Sequence, residues 1–159
     1  MIRHLVLDYP EDANVMNIED IFMLGDLLVA PCIQEGQDRR RVYLPRGGWI
    51  DLWSQSVYKG PEWIISEFHE NRIPVYISEG GALALNLDAS MRLGSPAGTG
   101  VDTYQNLCFY LAGDRGQTYF QDDHGNELTI RWQDDDVAIE RKSGAEPFVI
   151  LRSIESVNQ

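Results

Sequence analysis

Short apolar runs recur along most of the chain about every ten residues, with turn-forming residues between them. Residues 128–132 and 137–141 alternate apolar and polar side chains, which is typical of strands with one buried face. Residues 27–30 form a continuous apolar run that predicts a buried strand stopped by Pro31, and residues 148–151 predict the last strand. The pattern predicts an all-β fold, an antiparallel β-sandwich followed by a smaller antiparallel β unit.

The first part of the chain has a different pattern. Residues 5–7 form an unbroken apolar run, which predicts a strand covered on both faces, as in a parallel sheet. A short helix is predicted next, because Asn17 can cap its start and Gly25 can end it. Its apolar side chains would share one face: Ile18, Ile21 and Phe22.

Small and turn-forming residues predict where the chain divides. Residues 45–48 read Pro-Arg-Gly-Gly and predict a turn between two strands. Residues 95–100 read Ser-Pro-Ala-Gly-Thr-Gly and predict a domain boundary. We therefore expect three parts, covering residues 1–24, 25–94 and 95–159.

Charge narrows the choice of partners. The 159 residues carry a formal net charge of −12, so the surface repels phosphate backbones and anionic membranes. No apolar run reaches the roughly 20 residues that span a bilayer. We expect no nucleic acid and no membrane as partner. The residues after Met1 lack a signal-peptide pattern, which favours the cytoplasm, although the start of a fragment would say nothing about export.

Familiar catalytic and metal-binding motifs do not occur in the sequence. There is no nucleophile elbow, phosphate loop or dinucleotide fingerprint. The histidines and cysteines lack the spacing of a metal site; they are His4, His69, His124, Cys32 and Cys108. The acidic runs at 122–123 and 134–136 lie between strands and predict solvated turns rather than a calcium site. We expect no catalytic residue, cofactor or metal in this chain.

Tryptophan is the one residue type that suggests a ligand. Indole rings stack against the C–H faces of sugars, and Trp49, Trp53 and Trp63 are the candidates for sugar contact. Trp49 and Trp53 are expected on one side of their strand, together with Asp51. Tryptophans in a small sandwich also fill the core, where each buries a large apolar area. The sequence leaves both interpretations open.

Several segments resemble the family 31 glycoside hydrolases, which include α-glucosidases and α-xylosidases. Residues 3–10 are similar to that family's R-P-L-F-L-E-F-P, and residues 18–31 to its I-D-D-Q-F-L-F-G-D-D-L-L-V-A-P. Two later stretches match R-R-V-Y-L-P with W-Y-D-F-W and R-I-P-V-F-V, at residues 40–53 and 72–77. Residues 119–125 resemble the family's distal L-Y-E-D-D-G turn.

The resemblance implies an architecture. Residues 1–24 would be a remnant of the last strand and short helix of a (β/α)8 barrel, 25–94 the proximal and 95–159 the distal carboxyl-terminal β domain. In the family, that barrel carries both catalytic aspartates of a retaining mechanism, upstream of the segments present here. The resemblance therefore transfers no catalytic residue to this chain.

The resemblance also implies a function. We expect the non-catalytic carboxyl-terminal portion of a retaining α-glycosidase, inactive alone, that supports a barrel missing from this chain. The alternative is a free carbohydrate-binding module that contacts oligosaccharide, and a third is an interaction domain with no ligand. Without the barrel, residues 1–24 would be disordered, fold back on the sandwich, or pair with a second copy in a homodimer.

Overall fold

The computed structural model describes residues 1–67, 72–94 and 104–156. The chain separates into two compact units, Met1–Ser78 and Glu79–Gln159. Strands dominate both units, which confirms the predicted all-β class. The small-residue segment 95–100 lies outside the described residues, and so does His69. The compact units divide earlier than residue 95, because the strand at 82–87 pairs within the second unit.

The first unit is built on one six-stranded sheet in the order β1-β2-β3-β6-β4-β5, with every neighbouring pair antiparallel. No helix within the described part of the chain is long and apolar enough to cross a membrane. The strands are β1 (Ile2–His4), β2 (Phe22–Leu24), β3 (Leu27–Val29), β4 (Arg39–Asp51), β5 (Val57–Glu67) and β6 (Val75–Ser78).

Residues 5–7 are not a strand, so that prediction was wrong. They belong to a one-turn helix, α1 (Leu5–Asp8), whose amino end is capped by the imidazole of His4 accepting from the Val6 amide at 3.1 Å. Leu5 is fully buried, whereas Leu7 is 69% exposed. A strand of the predicted kind would have side chains buried on both of its faces. This run buries side chains on one side only, which is compatible with a single helical turn.

The helix expected to begin at Asn17 was also wrong. A 3-10 helix lies earlier, at Ala13–Asn17, where the side chain of Asp12 caps it. Residues 22–24 instead form β2, which turns directly into β3. Gly25 has φ +59° and opens the two-residue turn between Leu24 and Leu27, a geometry that glycine adopts without strain.

Residues 45–48 do not end a strand, so the predicted turn there was wrong. They form a β-bulge inside the long strand β4, where the register to β5 jumps from the pair Leu44–Glu62 to the pair Gly47–Gly60. A side-chain carbon on Gly60 would overlap the carbonyl oxygens of Leu44 and Pro45. The bulge therefore depends on a glycine in the opposite strand.

The core of the first unit draws on its amino-terminal residues. Its buried members from residues 1–24 are Leu5, Val15, Ile18, Ile21 and Met23. They pack with buried side chains of the sheet, among them Leu28, Val42, Leu44, Trp49 and Tyr76. Of the three outcomes expected for residues 1–24, the structure shows the one in which they fold back onto the sheet.

The second unit packs two three-stranded sheets around a common core. One has the order β10-β11-β12 and is antiparallel, and the other has the order β13-β9-β7. Phe109 of β9 meets Phe120 and Phe148 edge-on, with ring centroids 4.9 and 5.3 Å away. The strands are β7 (Ala82–Leu87), β8 (Arg92–Leu93), β9 (Asn106–Leu111), β10 (Arg115–Gln121), β11 (Glu127–Gln133), β12 (Asp136–Ser143), β13 (Phe148–Leu151) and β14 (Glu155–Ser156).

Two strand pairs in this unit are parallel, which the expectation of a purely antiparallel unit did not include. β13 runs parallel to β9, and the short β14 runs parallel to β8. β9 is therefore central, with an antiparallel neighbour in β7 on its other edge. Its residues 107–111 are all buried, as expected for a continuous apolar run.

Candidate functional site

The three tryptophans proposed for sugar contact lie in different environments. Trp49 is 1% exposed and donates its indole N–H to the carbonyl of Pro45 at 2.8 Å, so it belongs to the core. Trp63 is 41% exposed. Trp132, the fourth tryptophan, is 3% exposed and packs inside the second unit. Among Trp49, Trp63 and Trp132, Trp63 therefore presents the most exposed indole surface.

Trp53 is half-buried and tied to the loop before β6. Its indole N–H donates to the carbonyl of Ile73 at 2.7 Å, and the Arg72 guanidinium lies 5.6 Å from the ring centroid. The carboxylate of Asp51 accepts from the backbone N–H of Trp53 and of Ser54, each at 2.8 Å. These contacts fix a turn at the end of β4 and occupy the polar edge of the indole.

Trp63 lies beside a groove of about 320 Å³ on the first unit. Backbone segments far apart in sequence form its wall: the end of the 3-10 helix, the loop after β3, and β4 with β5. Its polar and aromatic lining consists of Asn17, Asp20, Gln34, Gln37, Arg40, Arg41 and Trp63. Isoleucine side chains complete the wall, at positions 18, 21 and 33.

Cross-strand pairing places Trp63 at this groove. Tyr43 of β4 and Trp63 of β5 are register partners, with ring centroids 5.0 Å apart and planes inclined by 49°. The guanidinium of Arg41 lies 4.7 Å from the Trp63 centroid, within the range of a cation–π contact. Because Arg41 and Tyr43 are two residues apart on one strand, both reach the same face as Trp63.

A buried arginine on the other face of β4 also lines the groove. The side chain of Arg40 is 6% exposed and pairs with the carboxylate of Asp20 at 2.5 Å. Its other terminal nitrogen donates to the carbonyl of Pro31. A buried guanidinium needs such partners, because desolvating an unpaired charge is costly. Arg40 thereby joins three segments of the groove wall.

Sequence reasoning missed Arg40 and Asp20 as a pair, although one signal was present. Arg39, Arg40 and Arg41 are consecutive in a strand, so the middle one must point to the opposite face from its neighbours. That face is lined by Val42 and Leu44 to one side, both fully buried. An arginine in such an alternation needs an acidic partner from elsewhere in the chain.

A second polar cluster holds the 3-10 helix against β4. The Tyr43 hydroxyl donates to Asp12 at 2.6 Å and accepts from the side-chain amide of Asn14 at 3.0 Å. Burial and the neighbouring carboxylate raise the pKa of Tyr43. Burial alone would raise the pKa of Asp12, but the hydrogen bonds from Tyr43 and Asn14 outweigh it and leave that pKa lowered.

The acidic turns of the second unit have local structural roles. The carboxylate of Asp122 accepts from the backbone N–H of His124 and Asn126 and from the Tyr104 hydroxyl. Burial and that carboxylate raise the pKa of Tyr104 to about 12. Asp134, with φ +52°, lies in the turn from β11 to β12. Among the described residues, no group of three or more His, Cys, Asp and Glu side chains could hold a metal ion.

The arrangement at Trp63 is suited to binding. It combines the exposed indole ring of Trp63, the guanidinium of Arg41 over that ring, and amide side chains. The ion pair of Arg40 and Asp20 lies in the same lining. A concave surface with a few convergent polar groups is the usual form of a small-molecule site.

Comparison with known protein families gives one clear match. The glycosyl hydrolase family 31 C-terminal domain matches residues 1–83. The isomaltosyltransferase of Sporosarcina globispora is 32% identical over 130 residues, which cover 80% of this chain and 12% of that protein. Alpha-glucosidase 2 of Bacillus thermoamyloliquefaciens is 31% identical over 131 residues, 81% of this chain and 16% of its own length.

Solved structures agree with these relatives. The cycloalternan-forming enzyme from Listeria monocytogenes, solved with a pentasaccharide substrate, has a TM-score of 0.76 and 32% identity over 87% of this chain and 14% of that one. The Flavobacterium johnsoniae dextranase, solved with glucose, has a TM-score of 0.67 and 27% identity over 92% of this chain and 20% of that one. The chain thus spans 12–20% of the length of these four proteins.

Proposed function

The chain belongs to glycoside hydrolase family 31 through its C-terminal domain, and from this premise we propose that it supports the catalytic barrel of a retaining α-glycosidase. The complete protein would hydrolyse α-linked O-glycosyl bonds, in the manner of an α-glucosidase or α-xylosidase. This chain contributes no catalytic group to that reaction, which needs two carboxyl groups about 5–5.5 Å apart across the scissile bond.

One observation carries the supporting role. The residues that match the family, 1–83, coincide closely with the first compact unit, Met1–Ser78, which has its own sheet and core. The matched part is therefore a folded domain in its own right rather than a scattered set of motifs. A domain of this kind can stabilise a neighbouring barrel without touching the substrate.

Apolar side chains on residues 1–24 favour a protein partner for this unit. Leu7 is 69% exposed, Met16 59% and Ile2 64%, and all three belong to the segment that packs against the sheet. We define Ile2, Leu7 and Met16 as the amino-terminal apolar surface. All three lie within the first 16 residues, and apolar surface left exposed by one segment favours a protein partner. The proposed partner is the catalytic barrel, and a second copy of this chain is the competing partner.

An activity assay tests the non-catalytic role. Purified chain, incubated with aryl α-glucosides and aryl α-xylosides, should release no phenol above the rate of a buffer control. Turnover that scales with the concentration of this chain would overturn the proposal.

A binding assay tests the supporting role. A family 31 barrel expressed without its C-terminal domain should form a complex with this chain and gain thermal stability, and sedimentation should show one copy of each. The charged substitution Leu7→Glu should weaken the complex. Val57→Glu is the matched control, because Val57 is 70% exposed and lies on β5 instead. A homodimer that excludes the barrel would refute this role.

A further inference from the structure

We propose that the groove beside Trp63 binds a neutral saccharide. The groove is formed within the first unit, and its lining residues come from positions 17 to 63. This inference does not rest on the proposed glycosidase activity, because a groove can bind sugar whether or not the complete protein cleaves it.

The indole of Trp63 supplies the apolar surface. It is 41% exposed, whereas its register partner Tyr43, with a ring centroid 5.0 Å away, is 2% exposed. An aromatic ring held this firmly by a neighbour loses little conformational freedom when a ligand packs against it. Pyranose rings present a face of C–H groups, which pack favourably against an indole of this kind.

Amide side chains supply the hydrogen bonds. Within the described residues, the side-chain amides of Asn17, Gln34 and Gln37 have no hydrogen-bond partner in the protein, and all three line the groove. An amide both donates and accepts, which matches the dual character of a sugar hydroxyl. A row of such groups beside an aromatic ring gives a neutral polyol several partners at once.

The pair of Arg40 and Asp20 pre-organises part of the groove lining. Arg40 is fixed by the Asp20 carboxylate and by the Pro31 carbonyl. Asp20 keeps 39% of its side chain exposed, so its carboxylate has acceptor capacity left for a ligand hydroxyl. The guanidinium of Arg41, which lies over the Trp63 ring, adds donors beside the indole face. A rigid wall lowers the ordering cost of binding.

Charge selects a neutral ligand over an acidic one. Arg40 is already balanced by Asp20, so the groove carries little uncompensated charge beyond Arg41. The chain as a whole carries −12, which repels anions approaching from a distance. Within the described groove lining, a carboxylate or sulfate on the sugar would meet one unpaired cation, Arg41, together with the repulsion of the whole chain.

The experiment is a heteronuclear NMR titration of the full chain with isomaltotriose, with glucuronic acid as the charged comparison. We expect the indole N–H signal of Trp63 to shift with a dissociation constant of about 1 mM, in the range of weak small-ligand binding. The shift should be insensitive to added salt, since the ligand is neutral.

Variants locate the site. Trp63→Ala should weaken binding at least tenfold, and Gln37→Ala, which leaves the aromatic contacts in place, should weaken it about fivefold, as one lost hydrogen bond does. Trp53→Ala is the matched control, since Trp53 is also a half-open indole beside an arginine but lies outside the groove lining, and it should leave binding unchanged. Thermal unfolding of each variant shows that it is folded.

Three outcomes would overturn the inference. One is the absence of any shift with 20-fold more isomaltotriose than the expected dissociation constant, roughly 20 mM. Another is tighter, salt-sensitive binding of glucuronic acid, which would make the ligand acidic. The third is binding that Trp63→Ala and Gln37→Ala leave unchanged, whatever Trp53→Ala does. None of these depends on whether a complex with a barrel hydrolyses glycosides.

Discussion

Arg40 reaches across the first unit to Asp20, with 2.5 Å between a guanidinium nitrogen and a carboxylate oxygen. The two residues lie 20 positions apart. Arg40 also donates to the Pro31 carbonyl at the end of β3. These two contacts connect the start of β4 to the segment after the 3-10 helix and to the loop after β3.

Removing that arginine should loosen all three segments. Arg40→Ala leaves Asp20 and the Pro31 carbonyl without their donor, and we expect a loss of about 2–3 kcal/mol in the free energy of unfolding. Urea unfolding followed by tryptophan fluorescence measures it. Arg39→Ala is the control, because the side chain of Arg39 is 67% exposed and its ion-pair partner among the described residues is the exposed Asp38. Equal losses in both variants would mean that the Asp20 contact contributes nothing.

The hydroxyl of Tyr43 should make stability depend on pH. Tyr43→Phe removes the hydrogen bonds to Asp12 and Asn14 and should cost about 1–2 kcal/mol near neutral pH. The pKa of Asp12 is lowered in the folded state, so its contribution is present above the unfolded pKa of about 3.9 and lost as pH falls through the folded pKa. The difference in the free energy of unfolding between wild type and Tyr43→Phe should therefore become smaller below about pH 4. A gap that stays constant down to pH 2 would contradict this linkage.

Tyr104 should control stability at high pH. Its pKa is raised to about 12, chiefly by burial and then by Asp122, so the folded state favours the neutral phenol. That contribution is complete below the unfolded pKa of about 10 and is lost as pH rises through 12. We expect absorbance at the phenolate band to show one late-titrating tyrosine fewer in Tyr104→Phe. The free energy of unfolding of that variant should also fall less steeply than that of wild type as pH rises above about 10.

The bulge in β4 should depend on Gly60. A side-chain carbon there overlaps two backbone carbonyl oxygens, which cannot move without breaking the ladder to β5. We expect Gly60→Ala to cost about 3 kcal/mol or more. Gly36→Ala has open space around the new carbon but φ +76°, so strain alone should cost about 1–2 kcal/mol. Thermal denaturation of the two variants compares overlap with strain, and a larger loss at Gly36 would reverse the argument.

The strands of the second unit could be predicted well from sequence. Residues 128–132 and 137–141 alternate regularly, and they lie within β11 and β12. The turn between these strands, which contains Asp134, was expected as a turn. Alternation matches burial in β11, where Leu128, Ile130 and Trp132 are buried and Arg131 is exposed. In β12 it predicts the strand but not burial, since Ile139 is 45% exposed.

The amino-terminal segment could not be predicted in the same way. An apolar run such as residues 5–7 gives no information about which of its side chains will be covered, and only Leu5 is fully buried. The periodicity that suggested a helix at 17–25 was outweighed by Gly25, whose positive φ favours a hairpin. Local patterns are weakest where tertiary contacts decide between a turn of helix and a short strand.

Of the residues at the candidate site, the sequence predicted Trp63 but not the amide side chains. Trp63 was among the three sugar-contact candidates, yet nothing local distinguished it from Trp49, which is buried in the core. The amides at Gln34 and Gln37 reach the groove through a loop, and loop placement depends on contacts such as that of Arg40 with Pro31. Spacing along the chain does not encode contacts of that range.

The parallel pairing of β13 with β9 affects the order in which the two units can fold while the chain is being synthesised. The sheet of the first unit is complete once Ser78 has emerged, so it can form while the rest of the chain is still being translated. In the second unit, the sheet with the order β13-β9-β7 must wait for residues 148–151, which join the edge of a strand made about forty residues earlier. During that interval the edge of β9 is open to wrong partners, and a pause in translation before residue 148 would prolong the exposure.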